Sequence, residues 1–268
     1  RLISCWQNST LCEIYRERDN PQLAASHLQP LLEHVERGTE PGQHVVIQYV
    51  RGHLAFSEGR LDDAIEILKD AASVGRKRRD QIVFEPPASS ALLARCYLAG
   101  NAPDKARACL QSWADTRFTN PLNLEQYRLA EARVLIAQNE PEQALELLER
   151  LMGPAEDSGH NRHLVEMLLV YGEALARLDR RKDSQTVLSR ALGLAAEAGF
   201  LRLLAEESQA LKSLLLELPA LNTPGRWNDR VRSLLQQAHT GEQPVEAAAP
   251  SRSTRAPEPS ERMTEALP

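Results

Sequence analysis

Residues 139–148, Asn-Glu-Pro-Glu-Gln-Ala-Leu-Glu-Leu-Leu, decide the fold of this chain, because their pattern occurs five times along it. Each copy begins with Gly, Asn or Asp and continues through a short polar turn. A small residue stands five positions on, and a Leu follows four positions after that. The small residues are Ala24, Ala64, Ala106, Ala144 and Ser184, at separations of 40, 42, 38 and 40 residues. A regular internal period predicts an array of stacked structural repeats.

Each part of the pattern has a physical role in a pair of helices. A Gly, Asn or Asp adopts the left-handed conformation that ends a helix, and Pro21, Pro103 and Pro141 suit the first turn of the next helix. The small residue allows two helices to approach closely, and the Leu packs on the same helix face. Twelve residues before each small residue stands another compact one: Cys12, Gly52, Ala94, Ala132 and Gly172. This spacing is typical of helix–turn–helix repeats of the tetratricopeptide (TPR) kind.

The predicted fold is therefore all-α, a right-handed superhelical solenoid of TPR-like helix pairs with a period of about 40 residues. Residues 1–240 are predicted to form five repeats plus closing helices. Residues 241–268 are rich in Pro and lack aromatic residues, which predicts a flexible linker or tail. The predicted helices cover residues 1–18, 21–37, 43–58, 61–78, 87–99, 103–116, 123–138, 141–152, 161–178, 181–198, 201–217 and 226–239.

The composition excludes other classes of protein. Hydrophobic residues make up 42% of the chain, but aromatic residues only 4%, too few for a β-sandwich or barrel of this size. A net charge of −5 argues against a dedicated nucleic-acid-binding domain. No apolar run is long enough to span a membrane, and the N-terminus does not resemble a signal peptide. The four cysteines are interpreted as small core residues of a cytoplasmic protein.

Motifs that carry chemistry are absent. The sequence contains no phosphate-binding loop, no Gly-x-Ser-x-Gly elbow and no His-Glu-x-x-His pair. We therefore predict that the chain is not an enzyme and holds neither a metal nor a cofactor. His160 and His163 are interpreted as a surface pair. The basic cluster at residues 76–79 is interpreted as a solvated helix end.

The residues near the end of the predicted solenoid resemble a known family. Residues 195–207, Ala-Ala-Glu-Ala-Gly-Phe-Leu-Arg-Leu-Leu-Ala-Glu-Glu, are similar to the final repeat of the sensor region in large ATP-dependent LuxR-type (MalT-like) transcription activators. In that family a Gly, an aromatic residue and an Arg precede an acidic pair; this chain departs from the pattern at Ser208, where a Gly is common. The Pro-rich segment from Gln243 to Pro268 resembles the linker before the family's DNA reader.

The resemblance has consequences for cofactors and partners. It implies that ATP binds only to an N-terminal module outside this chain, and that DNA is contacted only through a C-terminal helix-turn-helix reader, also outside it. For this chain it implies a small-molecule inducer or a protein partner in the groove of the solenoid, and self-association. The identity of the ligand is not implied by the sequence.

A candidate binding site follows from the geometry of such solenoids, in which the first helix of each pair lines the concave face. The column of residues expected to point inward is Glu13, His53, Arg95, Arg133 and Glu173. Arginine side chains suit carboxylates or phosphates, and aromatic side chains suit apolar or sugar faces. The candidate ligand-binding residues are Tyr49, His53, Phe56, Arg95, Arg133 and Glu173. The alternative is that these charges only solvate the inner wall or pair with Glu13 and Glu173.

The predicted function is effector sensing and self-association within a MalT-like regulator, with an inducer or partner bound on the concave face. The alternative is a free-standing TPR scaffold that binds a partner peptide in the groove.

Overall fold

The computed structural model describes residues 2–36, 38–77, 87–114, 118 and 120–240. Within these ranges the chain forms α-helices and one 3-10 turn, with no β-strand. The helices are α1 (Leu2–Glu17), α2 (Pro21–Glu36), α3 (Pro41–Ser57), α4 (Leu61–Lys77), α5 (Pro87–Ala99), α6 (Pro103–Gln111), α7 (Pro121–Ala137), α8 (Pro141–Asp157), α9 (Asn161–Arg177), α10 (Arg181–Ala198), α11 (Arg202–Ala205), α12 (Gln209–Leu216) and α13 (Arg226–Thr240). The 3-10 turn covers Pro219–Asn222. The predicted all-α solenoid of helix pairs is confirmed.

The turn inside each pair forms as the repeat predicts. The first residue of every copy has a positive φ, between 54° and 77°; these residues are Asp19, Gly59, Asn101, Asn139 and Asp179. Asn and Asp tolerate this left-handed conformation better than other side chains do, and Gly adopts it without strain. Pro21, Pro103 and Pro141 begin the helix that follows, where a missing N–H costs no hydrogen bond.

Close approach of the two helices in a pair explains the small residues. Cβ atoms placed on Gly52 and Gly172 would come within 2.6 Å of Leu68 and 2.5 Å of Leu188, the leucines of their own repeats. Ser184 lies at the same crossing, and its hydroxyl donates a hydrogen bond of 2.7 Å to the carbonyl oxygen of Gly172. The compact residues of the repeat therefore set the distance between the helices.

The pairs α1/α2, α3/α4, α5/α6, α7/α8 and α9/α10 stack side by side, and each first helix contacts the first helix of the next pair. The final pair is covered by α12, the 3-10 turn and α13. Leu211, Leu215, Leu218, Val231 and Leu235 bury their side chains against α9 and α10. Repeat arrays need such a cover because the last repeat would otherwise expose its apolar face.

Besides the helix predicted over residues 103–116, which ends at Gln111, two more predicted helix boundaries are wrong. The helix predicted over residues 141–152 continues through Gly153 and Pro154 to Asp157 as α8. Pro154 removes one backbone donor, and the complete burial of Ala155 in the core keeps the last turn in place. The helix ends two residues before Gly159, which has a φ of +69° and so leaves the helical path.

The second wrong boundary lies in the closing region. A single helix was predicted over residues 201–217, but the chain leaves the helical path between α11 and α12. Ser208 begins α12 as its N-cap, with its hydroxyl accepting a hydrogen bond of 3.1 Å from the Leu211 amide. This break directs residues 206–208 toward the first helices of the repeats.

Other expectations concern the cysteines and the ends of the described ranges. Cys5, Cys12 and Cys96 are buried, Cys109 is half-buried, and all four are free thiols; burial raises the pKa of Cys12 to about 12. No described helix combines the length and the apolar character needed to cross a bilayer. Arg78 and Arg79 of the basic cluster, and the predicted linker over residues 241–268, lie outside the described residues.

Candidate functional site

The first helices of the five pairs, α1, α3, α5, α7 and α9, point charged side chains toward one shared region, here called the inner face. The structure places all six candidate residues on it. Tyr49, His53 and Phe56 lie on α3, Arg95 lies on α5, Arg133 on α7 and Glu173 on α9. The Arg95 guanidinium lies 5.6 Å from the centre of the Phe56 ring, and the rings of Tyr49 and His53 are 5.6 Å apart.

Residues 201–208, here called the closing segment, run across the inner face from the last repeat to the first. The Leu203 amide donates a hydrogen bond of 2.9 Å to Oε1 of Glu17 on α1, 186 positions away in sequence. Arg202 forms an ion pair of 2.9 Å with Asp19, at the end of α1. The closing segment therefore joins the two ends of the repeat array.

The acidic pair of the closing segment meets the inner-face cations. The Glu206 carboxylate lies 2.6 Å from Arg16 and 3.4 Å from Nε2 of His53, and it also accepts a hydrogen bond from Ser57. The Glu207 carboxylate lies 2.6 Å from Arg133 and 3.7 Å from Arg95. Arg95 donates a further hydrogen bond of 3.4 Å to the backbone oxygen of Glu206. The site thus contacts two carboxylates and the peptide carbonyl between them.

The same arginines also pair with a carboxylate that belongs to the repeats themselves. Glu166 on α9 forms ion pairs with Arg162, with Arg133 at 3.1 Å and with Arg95 at 3.9 Å. Arg162 also lies 3.6 Å from Glu17. The Arg133 guanidinium is consequently shared between Glu166, which is fixed on a long helix, and Glu207, which stands on the closing segment.

Burial and ion pairing shift the pKa values of these groups in opposite directions. The side chains of Arg16 and Glu206 are only 1% and 4% exposed. Burial opposes ionisation of Glu206, but Arg16 and His53 outweigh it and hold the pKa of this carboxyl well below its usual range. In the same way, His53 and Arg16 overcome burial and lower the pKa of Glu13 to about 2. The carboxyl groups of Glu13 and Glu206 are therefore ionised at neutral pH, beside the guanidinium of Arg16.

Glu173 behaves differently. Burial raises the pKa of its carboxyl, and the nearby Glu207 adds to the rise. The Ser208 hydroxyl donates a hydrogen bond of 3.0 Å to Glu173, and Arg177 lies 3.5 Å away. Glu173 thus lies at one end of the site, where it contacts the closing segment rather than Arg95 or Arg133.

An open pocket adjoins the acidic pair. Its cavity volume is only about 40 Å³, and it is open to solvent on one side. The lining combines apolar side chains of α5 and α7 with charged groups: Tyr49, His53, Ala88, Ala91, Leu92, Arg95, Gln126, Leu129, Ala130, Arg133, Arg162 and Glu166. Arg95 and Arg133 therefore face both the closing segment and empty space. Among the described residues, no group of His, Cys, Asp and Glu side chains is arranged to hold a metal ion.

A family model described as the MalT-like TPR region matches residues 3–221. The chain belongs to this family. The match covers all five repeats and ends in the 3-10 turn of the MalT-like TPR region, so it includes the closing segment. No curated protein matches this chain.

Solved structures resemble this chain at low sequence identity. A putative kinesin light chain from Podosopora anserina with TPR-like repeats has a TM-score of 0.47 and 17% identity, over 72% of this chain and 95% of that chain. NprR in complex with its cognate peptide NprX has a TM-score of 0.50 and 15% identity, over 91% of this chain and 75% of that chain. The second likeness agrees with a TPR-like solenoid for this MalT-like TPR region.

Sequence reasoning missed part of the network. Arg162, Glu166 and the acidic pair were not among the candidates, although Glu206 and Glu207 were noted in the family resemblance. The i, i+4 spacing of Arg162 and Glu166 on α9 was a signal for one ion pair. No sequence signal indicated that Glu206 would meet Arg16, which is 190 positions away.

The interpretation of His160 and His163 as a surface pair is wrong. His163 is 7% exposed, and both rings lie 2.7 Å from the carboxylate of Glu125. Glu125 is itself buried on α7. Because a buried carboxylate needs partners, the two histidines of α9 satisfy Glu125 and help to join α7 to α9.

Proposed function

We propose that this MalT-like TPR region is the effector-sensing and self-association part of a LuxR-type transcriptional regulator, and that an inducer or partner binds on its inner face. One observation carries the proposal: Arg95 and Arg133 stand side by side on neighbouring repeats and line an open pocket. Guanidinium groups beside apolar side chains of α5 and α7 form the kind of concave, partly polar surface that binding sites use.

In this proposal the region acts by binding, not by catalysis, in a cytoplasmic regulator of a bacterium. ATP and DNA contacts are assigned to no residue of this chain. Ligand binding changes the balance between a closed state, in which the closing segment covers the inner face, and a state competent for self-association. A ligand shifts such a balance only through a difference in affinity for the two states.

A second candidate is a TPR scaffold that binds a partner peptide. One observation favours it: the inner face already holds a peptide segment, which is the chain's own. NprR, whose fold is similar, is solved with its cognate peptide. The two candidates share the site and differ in the ligand and in self-association.

The test is a thermal-shift screen of a panel of metabolites and short peptides against the wild-type chain, Arg95→Ala and Arg128→Ala. Arg128 lies on α7 and pairs with Glu131 on the exposed side of that helix, so it is a matched control. A ligand at a hundred times its Kd stabilises the folded state by about 2.7 kcal/mol. We expect at least one compound to raise the Tm of the wild type and of Arg128→Ala but not of Arg95→Ala.

Sedimentation velocity with and without that compound then separates the two candidates. Formation of larger species on binding supports the regulator, and a monomer that binds a peptide supports the scaffold. If every compound that raises the Tm of the wild type raises that of Arg95→Ala equally, the inner-face site is contradicted.

A further inference from the structure

The closing segment occupies the inner face in the manner of a bound peptide. Its two adjacent carboxylates are held by different repeats, Glu206 by Arg16 on α1 and Glu207 by Arg133 on α7. Between them, Arg95 on α5 donates to the backbone oxygen of Glu206. The site therefore recognises side-chain carboxylates and a main-chain carbonyl together, which is the chemistry of an acidic peptide.

The balance of charges on the inner face also favours an acidic ligand. Four arginines face this region: Arg16, Arg95, Arg133 and Arg162. Three carboxylates of the repeats pair with them, those of Glu13, Glu17 and Glu166. With Glu173 paired to Arg177, departure of the closing segment leaves these four arginines with three carboxylates, and the surplus positive charge favours a ligand that brings negative charge.

Outside the acidic pair, the closing segment is held by the buried side chains of Leu201, Leu203 and Leu204, which belong to the core formed with α9, α10, α12 and α13, and by a few polar contacts. It contains only the four-residue helix α11. The Leu201 amide donates to the backbone oxygen of Glu17 at 3.4 Å, and the Leu203 amide to the Glu17 carboxylate. Arg202 pairs with Asp19, which also accepts from Arg230 of α13 at 3.3 Å. Asp19 thus anchors the closing segment and α13 at the end of α1.

We propose that the inner face binds an acidic peptide, in which two consecutive carboxylate side chains take the places of Glu206 and Glu207, and that this binding displaces residues 206–208 from the inner face while Leu201, Leu203 and Leu204 stay in the core. The inference rests on the proposed function and defines its ligand class. The pocket beside Arg95 and Arg133 leaves about a tenth of each side chain exposed, which gives an incoming carboxylate a first contact before the closing segment has left.

The probe is a fluorescent decapeptide with the sequence of residues 200–209, and its matched control carries Glu206→Gln and Glu207→Gln. Binding is measured by anisotropy to the full chain with Asp19→Asn. Asn accepts the φ of 56° at this position and removes the charge that anchors Arg202. We expect the acidic peptide to bind this chain about tenfold more tightly than the control peptide, because charge-assisted hydrogen bonds are lost in the control.

Two further variants locate the peptide. Adding Arg95→Ala to the Asp19→Asn chain is expected to weaken binding about tenfold, whereas adding Arg128→Ala leaves it unchanged. The wild-type chain is expected to bind more weakly than Asp19→Asn, because its own closing segment competes. On binding, the amides of residues 206–208 are expected to exchange their hydrogens faster.

A second opened chain, Glu207→Gln, removes a contact inside the site and keeps Glu206 on Arg16. Equal affinities for the acidic and control peptides, or no binding by either opened chain while circular dichroism shows it folded, would overturn the proposal. The proposed function is tested separately from its ligand class. A neutral compound that raises the Tm only when Arg95 is present would support the inner-face site but contradict an acidic peptide as its ligand.

Discussion

Gly172→Ala tests the close helix approach on which the repeat depends. Gly172 lies inside α9, and an added Cβ would stand 2.5 Å from Cδ2 and 2.6 Å from Cγ of Leu188. Leu188 is 1% exposed, and the clash includes its branch point, so rotation of the side-chain end cannot relieve it. We expect α9 and α10 to be forced apart at this crossing.

The expected change in the free energy of unfolding follows from comparison with a matched control. Gly193 lies inside α10, and an added Cβ there meets no atom within 4 Å. Gly193→Ala is therefore expected to raise the free energy of unfolding by about 0.5–1 kcal/mol, the usual gain of Ala over Gly in a helix. Gly172→Ala has the same gain but also the cost of overpacking, about 1–3 kcal/mol. The difference between the two variants isolates that cost.

The assay is urea unfolding followed by circular dichroism at 222 nm, with the midpoint and slope compared for the two variants and the wild type. A third chain, Gly172→Ala with Leu188→Ala, measures the coupling. Leu188→Ala alone is expected to cost about 2–5 kcal/mol, and less in the double variant, where the methyl group added at position 172 fills part of the space. If Gly172→Ala is as stable as Gly193→Ala, the small residue does not set the helix distance and the reasoning is refuted.

Three further predictions concern packing and charge. Ala64→Leu and Ala144→Leu, both at fully buried positions, are expected to cost roughly 1–3 kcal/mol by overpacking; unchanged melting temperatures for both would contradict the repeat alignment. Because burial raises the pKa of Glu173, its charge opposes folding at neutral pH, so Glu173→Gln is expected to raise the free energy of unfolding in urea at pH 7 and to raise it less at pH 4; a loss at pH 7 would oppose this sign. The pKa of Glu13 is lowered to about 2 and that of Glu206 also lies below its usual range, so the stability that they contribute is complete above about pH 4.5 and is lost as the pH falls toward 2. Between pH 4.5 and 2 the Tm of Glu206→Gln should therefore fall less steeply with decreasing pH than the Tm of the wild type. Parallel plots of Tm against pH would show that Glu206 does not contribute.

The inner face shows how far sequence reasoning reaches toward a site. Tyr49, His53 and Arg95 were placed correctly because a repeat of known period assigns each residue to a helix face. The partners of His53 and Arg95 in the closing segment were not found, since a repeat pattern describes neighbouring helices and the closing segment is not a repeat. The binding role of the six candidates stays a prediction.

The sequence by itself determined the repeated turns and crossings of the solenoid. Asp19 and Asn139 take left-handed conformations, and Ala144 and Gly172 lie at tight crossings, because these features depend on the preferences of single residues and on contacts within one repeat. Only the tertiary structure decided that α8 continues past Pro154, where burial of Ala155 outweighs a lost donor. It alone also decided that Glu206 meets Arg16, since the stacking of all five repeats brings the last one back to the first and no local rule encodes a contact between residues 190 positions apart.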